Sequence, residues 1–255
     1  MERIERKPFQ GVLNIIRFNR QYYIIAFILV TILVLLEILF FKDLKLIPSL
    51  IIFIAALSTF ISLAVSYYIY DHSNLYSFNW LPDLKAENGS CIVNINAGFD
   101  ESSAILKHKY AGCNLIIMDF YDPAKHTEIS IERARRAYSV FPGTKTINTN
   151  EVPLNAASAD CIFLILSAHE IRNNSEKIHF FKQLQSALRP NGKIIVVEHQ
   201  RDFFNFIAYN LGFFHFFSKK TWRLVFKSAG LNETDEIKIT PFISAFILTT
   251  NGHTS

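Results

Sequence analysis

At 255 residues the chain has room for one ordinary domain and something more, and a composition that is 50% apolar, with positive mean hydropathy, assigns part of that surplus to lipid. The net charge of +4 sits mostly at one end: Arg3, Arg6, Lys7, Arg17 and Arg20 against Glu2 and Glu5 give a local +3 over residues 1–20, which excludes a nucleic-acid-binding main domain. Cys91, Cys113 and Cys161, odd in number and scattered among apolar residues, read as reduced core thiols rather than a disulfide framework.

Residues 1–20 form a basic N-terminus. Residues 22–41 are a run of 20 with Glu37 as the only charge, and residues 46–70 a run of 25 with none. At about 1.5 Å per residue each can cross a hydrocarbon core of roughly 30 Å. Only Lys42 to Lys45 separate them, so residues 21–70 are predicted to form a two-helix transmembrane hairpin. A signal peptide is not expected, because no small-residue cleavage site follows the first span and a second span follows at once. Glu37, within a turn of the end of its span, is expected to snorkel to the interface. The basic flank predicts a cytoplasmic N-terminus, and two crossings return the chain to that side, so the chain is expected to be an integral membrane protein with both termini and its main domain in the cytoplasm. Residues 71–89 are a polar and aromatic connector whose Tyr76, Phe78 and Trp80 suit either the headgroup level or ordinary packing onto the domain.

From residue 90 to 255 short apolar runs alternate with amphipathic ones, which predicts an α/β fold with a parallel sheet and crossover helices. CIVNI, NLIIMDF, TKTIN, CIFLIL and KIIVVEH read as buried strands. Residues 101–110, 129–138 and 175–188 read as helices, and RPNG, residues 189–192, as a turn. A long aromatic helix is expected over 202–217 and another helix over 220–229. Pro241 separates DEIKIT from FISAFILTT closely enough for a hairpin.

Ligands of doubly wound sheets sit beyond the carboxyl ends of the strands, near the switch in strand order, so the first strand-to-helix turn is the place to look. There CIVNINAGFDESSAIL has one glycine, Gly98, where backbone must approach a ligand. The second strand ends about 20 residues later in Asp119, a position from which a carboxylate can accept both ribose hydroxyl hydrogens. No P-loop series of glycine, lysine and serine or threonine is present.

Over roughly residues 90–250 these features resemble class I S-adenosylmethionine-dependent methyltransferases, in particular the small-molecule branch that includes quinone methyltransferases. IVNINAGFDES is similar to the family's first strand and glycine loop, IIMDFYDP to its acidic strand end, VPLNAASADCIFL to the segment entering the fourth strand and ALRPNGKIIVVEH to the turn entering the fifth. The resemblance implies a Rossmann-like methyltransferase sheet with helices on both faces and a reversed last strand, and S-adenosyl-L-methionine as cofactor. It further implies cofactor-binding roles for Asn94, Asn96, Gly98 and Asp119, with Asn148 or Thr149 beside the adenine amine and Phe120 along the ring. Where the family loop has an acid and two further glycines, this chain has Asn94, Asn96 and Asp100. Asn and Asp tolerate left-handed angles, so the turn is expected to survive, and Asn96→Gly to preserve or improve binding. The motif of amide- and base-nitrogen methyltransferases after the fourth strand is replaced by LSAHEIRN.

Methyl transfer is an in-line displacement, so a protein has mainly to align a nucleophile and, where needed, take a proton. His169 and Glu170 follow the fourth strand while Glu198 and His199 end the fifth, and both pairs should open onto one crevice. His169 and His199 are the candidate catalytic residues, as general base or in positioning substrate, against a structural hydrogen-bonding role. Adjacent His-Glu pairs are expected to point to different sides and no recognised ligand spacing is present, so no metal site is expected. Arg201 and Asp202 read as a surface or helix-start pair. Phe203, Phe206, Phe213 and Phe217 fall on one helical stripe suited to covering a sheet face, while Phe204, Phe214 and Phe216, with Lys219, Lys220 and Trp222 behind them, suit an interfacial lid. Taken together, the apolar spans and the family resemblance imply a membrane-anchored, S-adenosylmethionine-dependent methyltransferase with a lipophilic small-molecule or lipid-like acceptor and no nucleic-acid partner. The alternative is a degenerate methyltransferase-like binding or scaffold module.

Overall fold

A computed structural model describes residues 6–40, 46–81, 84, 87–126 and 128–250. Strands Cys91–Asn96 (β1), Asn114–Asp119 (β2), Lys145–Thr146 (β3), Ala159–Ile165 (β4), Leu188–His199 (β5), Leu231–Thr240 (β6) and Ile243–Thr250 (β7) form one sheet in the order β3-β2-β1-β4-β5-β7-β6. The first five are parallel; β7 runs antiparallel to both β5 and β6, the reversed last strand expected. Strand order switches direction between β1 and β4, so the crevice opens at their carboxyl ends. RPNG bulges out of β5: Leu188 pairs with Ala159 and Lys193 with Cys161, leaving the four residues between them opposite Asp160 alone.

Alternate residues of each central strand face opposite ways, and both faces are apolar, which is why the sheet has to be covered twice. On one side Val93, Ile95, Ile194 and Val196 pack under Asn174–Ala187 (α6) and Lys219–Ser228 (α8), through Phe180, Phe181, Trp222 and Phe226. On the other, Ile92, Phe163, Ile195 and Val197 pack with Leu106 of Ser103–Lys109 (α4) and with Ile69, Leu75 and Phe78. The connector therefore packs onto the domain: Phe78 is fully buried against Phe163, Tyr76 donates to Glu101, and Trp80 donates to the Leu75 carbonyl. Asn173 and Ser218 cap α6 and α8 by accepting from backbone N–H groups three residues on. The three cysteines are free, and burial pushes the Cys161 thiol up.

The aromatic segment departs from its expectation. The helix ends early, at Phe203–Tyr209 (α7), because Asn210 turns to φ 49°, ψ −124° and the chain continues as a 3-10 turn, Asn210–His215. Asp202 caps its start. Phe203 and Phe206 do not cover the sheet; they are exposed, as are Phe204, Leu211 and Phe214, because the connector already occupies that face.

Before the sheet come Gln10–Phe18 (α1), Arg20–Phe40 (α2) and Leu46–Tyr67 (α3), the last running into a π-helical turn, Tyr68–His72. By length and composition α2 and the α3 segment are long and apolar enough to cross a membrane, and almost none of either is buried. Arg3 and the link Lys42 to Lys45 lie outside the described residues. Helix α1 was not foreseen. It is held by a carboxylate 60 residues away: Gly11 and Val12 donate their first-turn N–H groups to Asp71, at 2.7 and 2.8 Å. Only glycine permits this approach, since a Cβ at Gly11 would lie 2.3 Å from that of Tyr70. At its far end Phe18 packs edge-on to Phe99 and Tyr138, and Asn14 accepts from the Tyr138 hydroxyl, so α1 ties the two apolar helices to Ile129–Ala137 (α5).

Candidate active site

The turn after β1 is knitted by its own side chains. Gly98 alone there has a left-handed backbone, φ +96°; Asn94, Asn96 and Asp100 do not use the freedom expected of them. Instead Asn96 Oδ1 accepts from Gly98 N–H and its Nδ2 donates to the Met118 carbonyl, tying the turn to β2. Asn94 donates to Ser102 and Ser103 Oγ at 2.9 and 2.7 Å, and Asp100 Oδ1 accepts from the backbone N–H groups of the same two serines. Two buried acceptors, Asn94 Oδ1 and Asp100 Oδ2, are left without a partner among the described residues.

Asp119 ends β2, buried, as expected. Its Oδ1 accepts from Tyr121 N–H, and its Oδ2 is taken by the guanidinium of Arg135 from α5, which also lies over the Tyr121 ring, 4.5 Å from its centroid. A Cβ built on Gly98 would meet Tyr121 and Arg135 at 3.0–3.1 Å, so these two side chains fill the space above the glycine. Beyond them a cavity of about 210 Å³ is lined by Phe120, Asn148 and Thr149 together with Tyr121, Lys125 and His126. Phe120 is buried against Phe180, and Thr149 donates to Glu176.

On the other side lies a larger cavity, about 820 Å³, whose wall is shared between the apolar helices and the sheet: Tyr22, Tyr23, Ser58 and Ser62 face Ala97, His169, Glu170 and His199 across it. His169 and His199 therefore open onto one chamber, as the pattern predicts. His169 Nδ1–H donates to Glu198 at 2.7 Å, and its Nε2 lies 3.2 Å from Glu170. The expectation that adjacent His and Glu diverge fails here, because the pair sits not on a strand but on a 3-10 turn, Ala168–Glu170, whose curl brings the two together. Burial opposes the imidazolium, but the Glu198 charge and the bonds to Glu170 and Glu198 outweigh it and raise the His169 pKa to about 10. Burial likewise opposes the Glu170 carboxylate, and the bonds from His169 and His215 hold it well below the usual range.

His199 is the opposite case. Burial lowers its pKa to about 4, so it is neutral. Asn205 uses its amide N–H groups on Asp202 and the Phe242 carbonyl, leaving Oδ1 to accept from His199 Nδ1–H at 3.0 Å. The other ring nitrogen, Nε2, thus accepts from the Tyr70 hydroxyl at 2.8 Å. Sequence reasoning missed Tyr70, Arg135 and His215, which owe their places to contacts between distant segments; the polar break that His215 makes in GFFHFFS was the one local signal.

Lys177 on α6 is fully buried with no hydrogen-bond partner for Nζ among the described residues; the ammonium lies 3.1 Å from the Phe217 ring centroid and 4.5 Å from that of Trp222. Burial brings its pKa down to about 7, with Glu198 offsetting part of the shift. Unfolded chains keep this proton to the ordinary lysine range, whereas the folded chain gives it up near neutrality, so between those values the unfolded state binds more protons and stability rises with pH. Lys177→Met is expected to raise stability by about 1–3 kcal/mol at about pH 6 and by clearly less at about pH 10. Thermal melting of both proteins at the two pH values checks this; an equal gain at both would remove the burial argument.

No protein-family model and no curated protein sequence matches the chain. Solved structures do. A SAM-dependent methyltransferase from Aquifex aeolicus superposes with a TM-score of 0.52 at 12% identity, over 75% of this chain and 97% of that one. The O-methyltransferase family 2 protein from Planctomyces limnophilus, solved in complex with apigenin, gives 0.53 at 16% identity, over 76% and 61%. Human N-acetylserotonin methyltransferase, in complex with SAM, gives 0.52 at 15%, over 76% and 56%. With its strand order and reversed β7, the chain has the Rossmann-like fold of these S-adenosylmethionine-dependent methyltransferases.

Proposed function

We propose that the protein is a membrane-anchored S-adenosylmethionine-dependent methyltransferase, facing the cytoplasm, that acts on a lipophilic small-molecule or lipid-like acceptor. The observation that carries this reading is the 820 Å³ cavity, bounded by unburied apolar helices on one side and by the carboxyl ends of the sheet on the other. An acceptor drawn from lipid would reach the groups at the strand ends through that shared wall. The exposed Phe203, Phe204, Phe206 and Leu211 extend the apolar surface, and Asn210 donates to Ser58 of α3.

Several groups of the cleft support the cofactor assignment. Asp119 offers a buried carboxylate for the ribose, Phe120, Asn148 and Thr149 line a space for an adenine, and Asn94 Oδ1 and Asp100 Oδ2 are unpaired acceptors of the kind an amino-acid ammonium satisfies. Bound there, S-adenosylmethionine supplies a methyl group on a sulfonium. The chain's own share is to align the acceptor, exclude water and handle its proton. His169, held as an imidazolium between carboxylates, is assigned to positioning; His199, neutral, can take a proton at Nε2 by way of the Tyr70 hydroxyl. A second reading, a binding module without catalysis, is favoured by one observation: Arg135 and Tyr121 occupy the space over Gly98 and Asp119.

Full-length protein in lipid vesicles doped with a total cellular lipid extract is expected to move label from methyl-labelled S-adenosylmethionine into the organic phase, and Ser62→Trp, which narrows the cavity, to slow this with cofactor affinity unchanged. Cofactor binding without any labelled lipid would sink the acceptor class; no binding at millimolar cofactor would favour the module.

A further inference from the structure

We propose that His169, Glu170 and His215 form a binding site for a divalent first-row transition-metal ion at the floor of the large cavity. Their ligand atoms lie within 4.8 Å of one another. Both histidines turn Nε2 toward the same Glu170 oxygen, at 3.2 Å from His169 and 3.6 Å from His215. Donors on a tetrahedral ion with bonds of about 2.0–2.1 Å sit roughly 3.3 Å apart, so the triad needs little movement to close on one. The imidazole planes cross at 82° with centroids 5.0 Å apart, which lets both nitrogens converge without stacking.

What separates this cluster from an ordinary buried ion-pair network is the arrangement behind it. Each histidine has its outer nitrogen, Nδ1, fixed by a carboxylate of its own: Glu198 at 2.7 Å for His169, and Glu128 at 2.9 Å for His215. That is the carboxylate–histidine support which orients metal-binding imidazoles; the ion would displace the proton that His169 Nε2 turns toward Glu170, release it to solvent and bind in its place. The two loops are also fastened together. Arg172 donates to the backbone carbonyls of both His169 and His215, at 3.2 and 2.6 Å, without competing for the side chains. Three protein donors leave a coordination position open, and all three residues line the cavity, so that position faces the space where an oxygen-bearing ligand would sit. Two imidazoles and a carboxylate suit zinc, iron or manganese better than calcium or magnesium, which prefer oxygen throughout. The inference rests on these donors alone and does not require the cleft to hold a cofactor.

The test is zinc titration of the untagged full-length chain in detergent, after exhaustive dialysis against a chelator. One equivalent is expected to bind at micromolar or tighter affinity. His215→Ala, in a partly exposed loop, should weaken it at least a hundredfold, and Glu198→Gln, acting through His169, by about ten- to a hundredfold. Far-UV circular dichroism and melting show that the variants fold. Should they not, X-ray absorption of the zinc-loaded wild type decides, because two imidazoles in the coordination shell support the site and fewer overturn it. Absence of a stoichiometric site in the wild type, or unchanged affinity in folded His215→Ala, also overturns it.

Discussion

Asp119→Ala is expected to weaken S-adenosylmethionine binding at least tenfold, and Arg135→Met to tighten it by about as much. Hydrogen bonds to a charged acceptor contribute roughly 1.5–3 kcal/mol each, and about 1.4 kcal/mol is a factor of ten. The second half of the expectation comes from the structure. One oxygen of Asp119 is already engaged by Arg135, so a ribose must displace the guanidinium before it gains the carboxylate. Methionine keeps some packing on Tyr121 but cannot hold the acid, and leaves a buried acceptor that two hydroxyls would satisfy. Isothermal titration of the three proteins in detergent measures both effects. Unchanged affinity in folded Asp119→Ala would remove Asp119 from the site; a loss in Arg135→Met as large as that in Asp119→Ala would make the arginine part of the bound state instead of its competitor.

Gly98→Val should abolish measurable cofactor binding, and the reason is twofold. A β-branched residue at φ +96° is strained wherever it sits, at about 1–3 kcal/mol, and its Cβ would in addition press on Tyr121 and Arg135 at 3.0–3.1 Å. Asn96→Gly is the informative companion. From sequence it should be harmless or helpful, because glycine is the family's residue. In the structure Asn96 is the clasp between Gly98 and Met118, so its removal is now expected to weaken binding and to cost about 1–3 kcal/mol of stability. Binding improved by Asn96→Gly would mean that the knitted turn is not the one that receives cofactor.

Strands β1, β2, β4 and β5 were legible because a strand buried on both faces is written as an uninterrupted run of β-branched and aliphatic residues, and the Thr240–Pro241 break made the final hairpin equally plain. Asp119 and the two histidines could be placed because strand ends in this topology converge on one crevice. What stayed hidden depends on partners far away in the chain. The helical start of α1 is secured by Asp71, and Arg135 reaches Asp119 only once the crossover helix has docked. Phe203 and Phe206 were assigned to the sheet because periodicity marks an apolar stripe without saying what faces it; Leu75 and Phe78 had taken that place. His169 and Glu170 were read with strand alternation, which ceases to apply two residues after β4.

The shared wall of the large cavity has a kinetic consequence. If the apolar helices stand in a bilayer, as proposed, an acceptor that enters between Tyr22, Tyr23 and Ser58 on one side and the strand ends on the other would not pass through bulk water. Its encounter with the protein would then be two-dimensional, and saturation would be governed by the mole fraction of acceptor in the bilayer rather than by its molarity. Adding inert phospholipid at constant acceptor would slow turnover by surface dilution, although nothing in the aqueous phase had changed.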